Sequence, residues 1–209
     1  GSLGLGRPVG VTVTDAHVNV ERTQQLLTDA HERAVTSGIV TLILQLSVPF
    51  AGFEGEAATE VKPDFAIVAP NVSEPKLTWL IVGDTKDYER VRSHIDDSRL
   101  LKGFLQVAVG AESLDVWTML PTNMRVHSHG VLAVPRNSFL QPEARVELLE
   151  DHRTEIRMRI QERRDEAASV SYNKESAIEE FVNHLAARFD PTNCRTCTLF
   201  SFCRSQLRN

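Results

Sequence analysis

Two apolar segments that face each other across a short polar break constrain this chain more than any other feature. Glu60–Val68 and Leu77–Asp84 are both strand-sized, and Pro70-Asn71 and Ser73-Glu74-Pro75 lie between them. Proline, asparagine and serine interrupt strands and favour turns, so the pair reads as a hairpin with a loose connection. Its open end carries charge: Pro63-Asp64 enters the first strand, and Asp84-Thr85-Lys86 leaves the second. Residues two apart on an extended chain project from one face, so Asp84 and Lys86 point together. A hairpin can bring Asp64 beside them, gathering two carboxylates and one ammonium at the end of a sheet.

Chemistry that cuts a phosphodiester needs this combination. Carboxylates suit Mg²⁺ or Mn²⁺, hard ions that prefer oxygen ligands and retain several waters. A bound ion of this kind acidifies water and offsets charge developing on the phosphate. Lys86 can orient that water or neutralise the phosphate, and the Thr85 carbonyl is a natural further ligand. A D-x-K triplet alone is weak, since two such residues commonly just end a strand. What raises it is the apolar strand feeding into it and the Pro-Asp on its partner.

Elsewhere, Leu26, Leu27, Ala30, Ala34 and Val35 recur at helical spacing between Val20 and Ser37, and Gly38 ends that segment. Ile39–Val48 predicts a strand and Ser98–Val109 an amphipathic helix. Val116–Leu120 and Gly130–Pro135 read as strands, Pro142–Ala168 as a long charged helix and Ser176–Phe189 as a further helix. The order is helix, three strands, helix, one or two strands, then helices. That is an α/β domain with a central mixed sheet flanked by helices. Residues 1–10, with four glycines and a proline, read as loose; residues 1–19 form a lead-in, residues 20–190 the core and residues 191–209 a distinct tail. Gly1-Ser2 has the look of a tag-cleavage scar, and the lack of an initiator methionine suggests a fragment of a longer protein.

A formal charge of −5 argues against a surface coated for nucleic acid, but a local basic groove depends on placement rather than on the total. The longest apolar run, Ile39–Leu46, is broken by Thr41 and Gln45 and falls far short of the roughly 20 residues of a spanning helix. No membrane role is expected, and with no signal peptide in view the expected compartment is cytoplasmic. Trp79 and Trp117 sit in apolar segments and read as core. His127 and His129 share a face by alternation, with a solvated loop as the plainer reading. Arg153 and Arg157 share one side of a helix whose charges otherwise read as a salt-bridged surface.

All three cysteines fall close together, as Cys194-Arg195-Thr196-Cys197 and then Cys203. The spacing lets three thiolates face one point. An odd number in a reducing compartment disfavours a disulfide framework, so metal ligation is the better reading, against three unrelated thiols.

Pro63-Asp64 followed by Asp84-Thr85-Lys86 resembles the signature of the PD-(D/E)XK superfamily, with aspartate in the D/E place as in many RecB-like nucleases. Leu101-Lys102-Gly103-Phe104-Leu105-Gln106 stands where that family carries its Q-x-x-x-Y helix. Gln106 matches the glutamine, and Gly110 occupies the tyrosine position. Asp29-Ala30-His31-Glu32 resembles the first-helix motif, with Leu27 in the place of its glycine. The cysteine run, preceded by Asp190-Pro191, resembles the C-terminal clasp of iron–sulfur RecB-like nucleases such as the AddB subunit and the CRISPR-associated exonucleases.

The resemblance spans roughly residues 25–205 and implies a restriction-endonuclease-like fold. It implies a metal-dependent deoxyribonuclease in which Asp64 and Asp84 hold Mg²⁺ or Mn²⁺, Lys86 positions the attacking water, His31 adds a metal ligand and Gln106 orients substrate. It further implies DNA as substrate, single-stranded or with free ends, acted on by a domain of a larger repair or defence protein with a helicase or other subunit. Cys194, Cys197 and Cys203 would hold a [4Fe–4S] cluster. The fourth cysteine of that clasp is absent here; His17 or a residue outside the sequence would complete the set, and zinc or an empty site stays open. The alternative is a non-catalytic module that grips DNA or protein with the same fold.

Overall fold

Strand β5 (Phe65–Pro70) and strand β6 (Thr78–Thr85) pair antiparallel with Phe65 opposite Gly83, forming the expected hairpin. The computed structural model that shows this describes residues 4–5, 7–51, 59–88, 95–136, 141–169 and 200–206. Asn71 shapes the connection: its side-chain oxygen accepts from the amides of Ser73 and Glu74 at 2.7 and 3.1 Å, a local turn that asparagine makes readily.

The hairpin lies inside a seven-stranded mixed sheet of order β1-β2-β5-β6-β8-β9, with β7 also paired to β6. Strands β1 (Gly10–Asp15) and β2 (Ile39–Leu44) run parallel, and helix α1 (Val20–Ser37) joins them. Strands β7 (Met124–Val126) and β8 (His129–Pro135) run parallel to β6, reached through helix α2 (Asp97–Val116). Strand β9 (Pro142–Leu148) closes the far edge antiparallel to β8. A short ribbon of β3 (Val48–Pro49) and β4 (Glu60–Val61) stands apart from the sheet. Helices α3 (Glu150–Ser169) and α4 (Phe200–Gln206) complete the described elements. The chain forms two compact units, Gly1–Ile160 and Gln161–Asn209.

The helices start and stop where side-chain chemistry dictates. Asn19 caps α1 by accepting from the Arg22 amide at 2.7 Å, and Gly38 ends it at φ 65°, a left-handed conformation that costs glycine little. Asp96 caps α2 through the Ser98 amide at 2.8 Å. Leu26, Leu27, Ala30 and Ala34 of α1 join Phe104, Val107, Ala111 and Leu114 of α2 in one core. That core also takes Ile43, Ala66, Val68, Leu80, Val82 and Leu132 from the sheet. Arg153 on α3 reaches α2, its Nε 2.8 Å from Glu112 Oε2 and its Nη2 on Asp115; Arg157 Nη1 lies 3.3 Å from the same Glu112 oxygen. Both arginines therefore help hold α3 against α2.

The sequence expectations need three amendments. The lead-in carries an unanticipated strand: Gly10–Asp15 is an edge strand, because Val-Thr-Val-Thr is β-branched throughout. Val116–Leu120 is not a strand; α2 runs on to Val116, and Trp117 caps it, packed partly against the core. Pro142–Leu148 is strand rather than helix. Glu143, Arg145 and Glu147 alternate there with Ala144, Val146 and Leu148, a period of two that the long charged helix beyond it masked. Among the described residues no helix is long and apolar enough to cross a membrane.

The contact between α2 and β8 leaves no room for a methyl group at Gly130. A Cβ there would sit 2.5 Å from Val107 Cγ1 and 2.8 Å from Leu149 Cδ1, both in buried side chains. Gly130→Ala should lower stability by about 1–3 kcal/mol through overpacking. An unchanged urea midpoint would show that the two elements do not meet there.

Candidate active site

The β5–β6 register sets Asp64, one residue before Phe65, opposite Asp84. The two carboxyl groups lie close enough to shift each other's proton affinity. The Thr85 amide binds both, at 2.8 Å to Asp64 Oδ2 and 2.9 Å to Asp84 Oδ1. Lys86 Nζ lies 2.6 Å from Asp84 Oδ2, as the two-residue spacing predicts. The Thr85 amide thus ties the two acids together.

These groups open into a cavity of about 310 Å³ lined by Val61, Lys62, Pro63, Asp64, Gly83, Asp84, Lys86, Gln106, Val107 and Val109. Gln106 is therefore brought to the acids, on an exposed turn of α2. Gly110 lies one turn further on, against the same wall. A Cβ there would lie 3.0 Å from Pro63 Cγ and 3.2 Å from Val82 Cγ1, so the wall leaves little room for a side chain.

The backbone of Pro63-Asp64 is clamped from β2. Gln45 donates its amide to the Asp64 carbonyl at 2.7 Å, and Leu46 donates to that of Pro63 at 3.1 Å. Gln45 does so at φ 53°, left-handed and uncommon for a residue with a side chain. Thr23 accepts from the Ser47 amide at 3.0 Å, and Ser47 Oγ lies 2.5 Å from Glu60 Oε2, which steadies the β3–β4 wall. The residue reading missed Lys62 and this clamp. The sequence signal for the clamp was Gln45 itself, a polar residue interrupting an apolar run.

The two acids differ in proton affinity. Burial pushes Asp84 up and the neighbouring Asp64 adds to that, against the pull of Lys86, so its carboxyl titrates above the ordinary range. Asp64 is also pushed up by burial, but the neighbouring Asp84, the Thr85 amide and Lys86 together hold it below that range. Two carboxylates this close oppose each other's ionisation, so the proton affinity of one depends on the charge of the other. Burial likewise raises the Tyr88 phenol, which stands near Lys86 and Asp84.

The remaining candidates lie elsewhere. His31 Nδ1 is 2.8 Å from Thr78 Oγ1, and Thr78 is at the opposite end of β6 from Asp84, roughly 20 Å away along an extended strand. That distance removes His31 from any ion held by Asp64 and Asp84, and burial lowers its pKa. His127 is buried with its ring edge-on to Trp79 at 5.0 Å, so it is not in a solvated loop. Cys194 and Cys197 lie outside the described residues; Cys203 is a free, half-buried cysteine on α4. Among the described residues no three His, Cys, Asp or Glu side chains gather as a metal group, so the acids form a pair. Magnesium is commonly held by one or two carboxylates and several waters, and the pair fits that pattern.

No protein-family model matches the chain, and no curated protein matches it.

The raised Asp84 carboxyl gives a stability test. A carboxyl that holds its proton more tightly folded than unfolded loses stability as pH rises from the ordinary carboxylate range through its raised value. Without metal at neutral pH, Asp84→Asn should therefore melt above the parent. A gain on the order of 1 kcal/mol would be about 2–4 °C in a chain of this size. The gap should close below the ordinary carboxylate range; a lower melting temperature at neutral pH would show that the charge is not opposed in the fold.

Proposed function

We propose that this chain is a divalent-metal-dependent deoxyribonuclease of the PD-(D/E)XK type, built on a restriction-endonuclease-like fold. The observation that carries the reading is the convergence of Asp64, Asp84 and Lys86 at one rim of the sheet, inside a cavity that also takes Gln106. The fold reading rests on the family resemblance; the order α1, β2, β5, β6, α2, β8, set among five further strands, supports no more than a mixed α/β sheet.

Asp64 and Asp84 would hold Mg²⁺ or Mn²⁺ through their oxygens. Such an ion supplies an acidified water and offsets charge that develops on the phosphate. The Thr85 amide keeps both carboxylates turned to one point, which limits the reorganisation needed at the moment of reaction. Lys86, fixed against Asp84, orients the attacking water or neutralises a phosphate oxygen. Gln106, on the far wall, offers an amide to substrate. A preference for single-stranded or free DNA ends, and a helicase partner, rest on the family resemblance alone. The cysteine run is proposed to hold a [4Fe–4S] cluster or zinc, which iron, sulfide and zinc analysis of protein purified without oxygen would decide.

A non-catalytic DNA- or protein-binding module is the second reading. It is favoured by the acids being a pair with no third acidic or histidine ligand among the described residues.

Two experiments separate the readings. Labelled DNA should be degraded with Mg²⁺ or Mn²⁺, and Asp84→Ala or Lys86→Ala should reduce the rate at least about 100-fold while far-UV circular dichroism is unchanged. Full activity in Lys86→Ala would sink the lysine's role, and an inert parent would favour the binding module. Because Asp84 retains its proton above the ordinary range, metal must compete with that proton. Mn²⁺ affinity measured by calorimetry should weaken as pH falls and level off once pH exceeds the raised value; an affinity flat across the acid range would count against ligation by this pair.

A further inference from the structure

Lys62 is the one basic residue of the cavity to which phosphodiester hydrolysis has assigned no task. It lines the same space as Asp64, Asp84, Lys86 and Gln106, is exposed, and stands two residues before Asp64 between β4 and β5. Lys86 has its charge committed to Asp84, with Nζ 2.6 Å from Oδ2. Lys62 has no ion pair or hydrogen bond among the described residues. The cavity therefore contains two acids, one engaged lysine and one available lysine. A polyanionic strand approaching this rim meets carboxylate repulsion first, so an uncommitted cation there has a large effect on whether it binds.

The stem of Lys62 is also well placed. Its neighbour Pro63 is held by the Leu46 amide and packs against Gly110, so the wall that carries the lysine is fixed. Two residues of extended chain span about 7 Å, which separates the Lys62 backbone from that of Asp64 and leaves its side chain to reach beyond the acid pair.

We propose that Lys62 forms a second phosphate subsite, binding the phosphate next to the one that is cut. The ligand class is then a strand with at least two consecutive phosphodiesters rather than a single phosphate ester. Lys62 is a substrate-binding residue on this account and takes no part in the bond cleavage. The proposal rests on the nuclease reading.

The test measures binding of a fluorescein-labelled single-stranded oligothymidylate by anisotropy across a salt series, with Ca²⁺ replacing Mg²⁺ to hold off cleavage. Parent, Lys62→Gln and Lys62→Arg are compared, with Mn²⁺ calorimetry as a control on the acid pair. Lys62→Gln should bind more weakly, and the slope of log K against log salt should become shallower by about 0.7, one single-strand phosphate contact. Lys62→Arg should keep the parent slope, and all three proteins should bind Mn²⁺ alike. A parent slope in Lys62→Gln, or weaker Mn²⁺ binding that accounts for its loss, overturns the subsite while leaving the nuclease reading in place. A parent that neither binds the oligonucleotide nor cleaves DNA overturns both.

Discussion

The pairing of β5 with β6 is the constraint from which the candidate site follows. With Phe65 opposite Gly83, Asp64 falls opposite Asp84 and the Thr85 amide falls within reach of both carboxylates. A slip of one residue would turn every side chain of a strand to the other face and separate the acids. Burial enforces the register, since Ala66, Val68, Leu80 and Val82 are core and would have to leave it. Phe65 and Gly83 reinforce it sterically: a Cβ on residue 83 would come 2.2 Å from the Phe65 ring. The same apolar contacts that fold the hairpin thus set the geometry of its charged end.

Stability and chemistry pull apart at this end. The Glu112–Arg153 pair shows how the fold treats charge elsewhere: opposite signs, direct hydrogen bonds and a structural result, α3 held to α2. At the rim, two like charges are placed together and only one lysine balances them. Buried like charges are costly unless a proton or cation joins them. This like-charge pairing is the feature on which the proposed cation site rests. The left-handed Gln45 backbone that anchors Asp64 points the same way, since such strain persists where surrounding structure over-determines it.

Much of this was legible in the residues because it depends on short-range periodicity. The α1 stripe, the β5–β6 hairpin and the Asp84–Lys86 spacing are all local patterns, and each is present in the fold. What failed depended on tertiary context. Residues 142–148 alternate charge with apolar side chains, but adjoin a charged helix, so period two was read as part of period 3.6. The close fit of Gly110 against Pro63 and Val82 is likewise invisible in the residues alone. His31 was placed by motif, whereas the direction of β6 puts its partner Thr78 at the wrong end of the strand. Lys62 passed unnoticed because its significance lies in which cavity it lines, a property of the assembled walls.

The first strand has a consequence for how the protein behaves in bulk. Among the described residues β1 pairs on one side only, with β2, and Val9, Val11 and Val13 at this border are 82, 65 and 60% exposed. Natural sheets blunt such borders with lysine, proline or a bulge; Gly10-Val11-Thr12-Val13-Thr14 has none of these. An uncharged ribbon of this kind offers its free main-chain groups as a template for another strand.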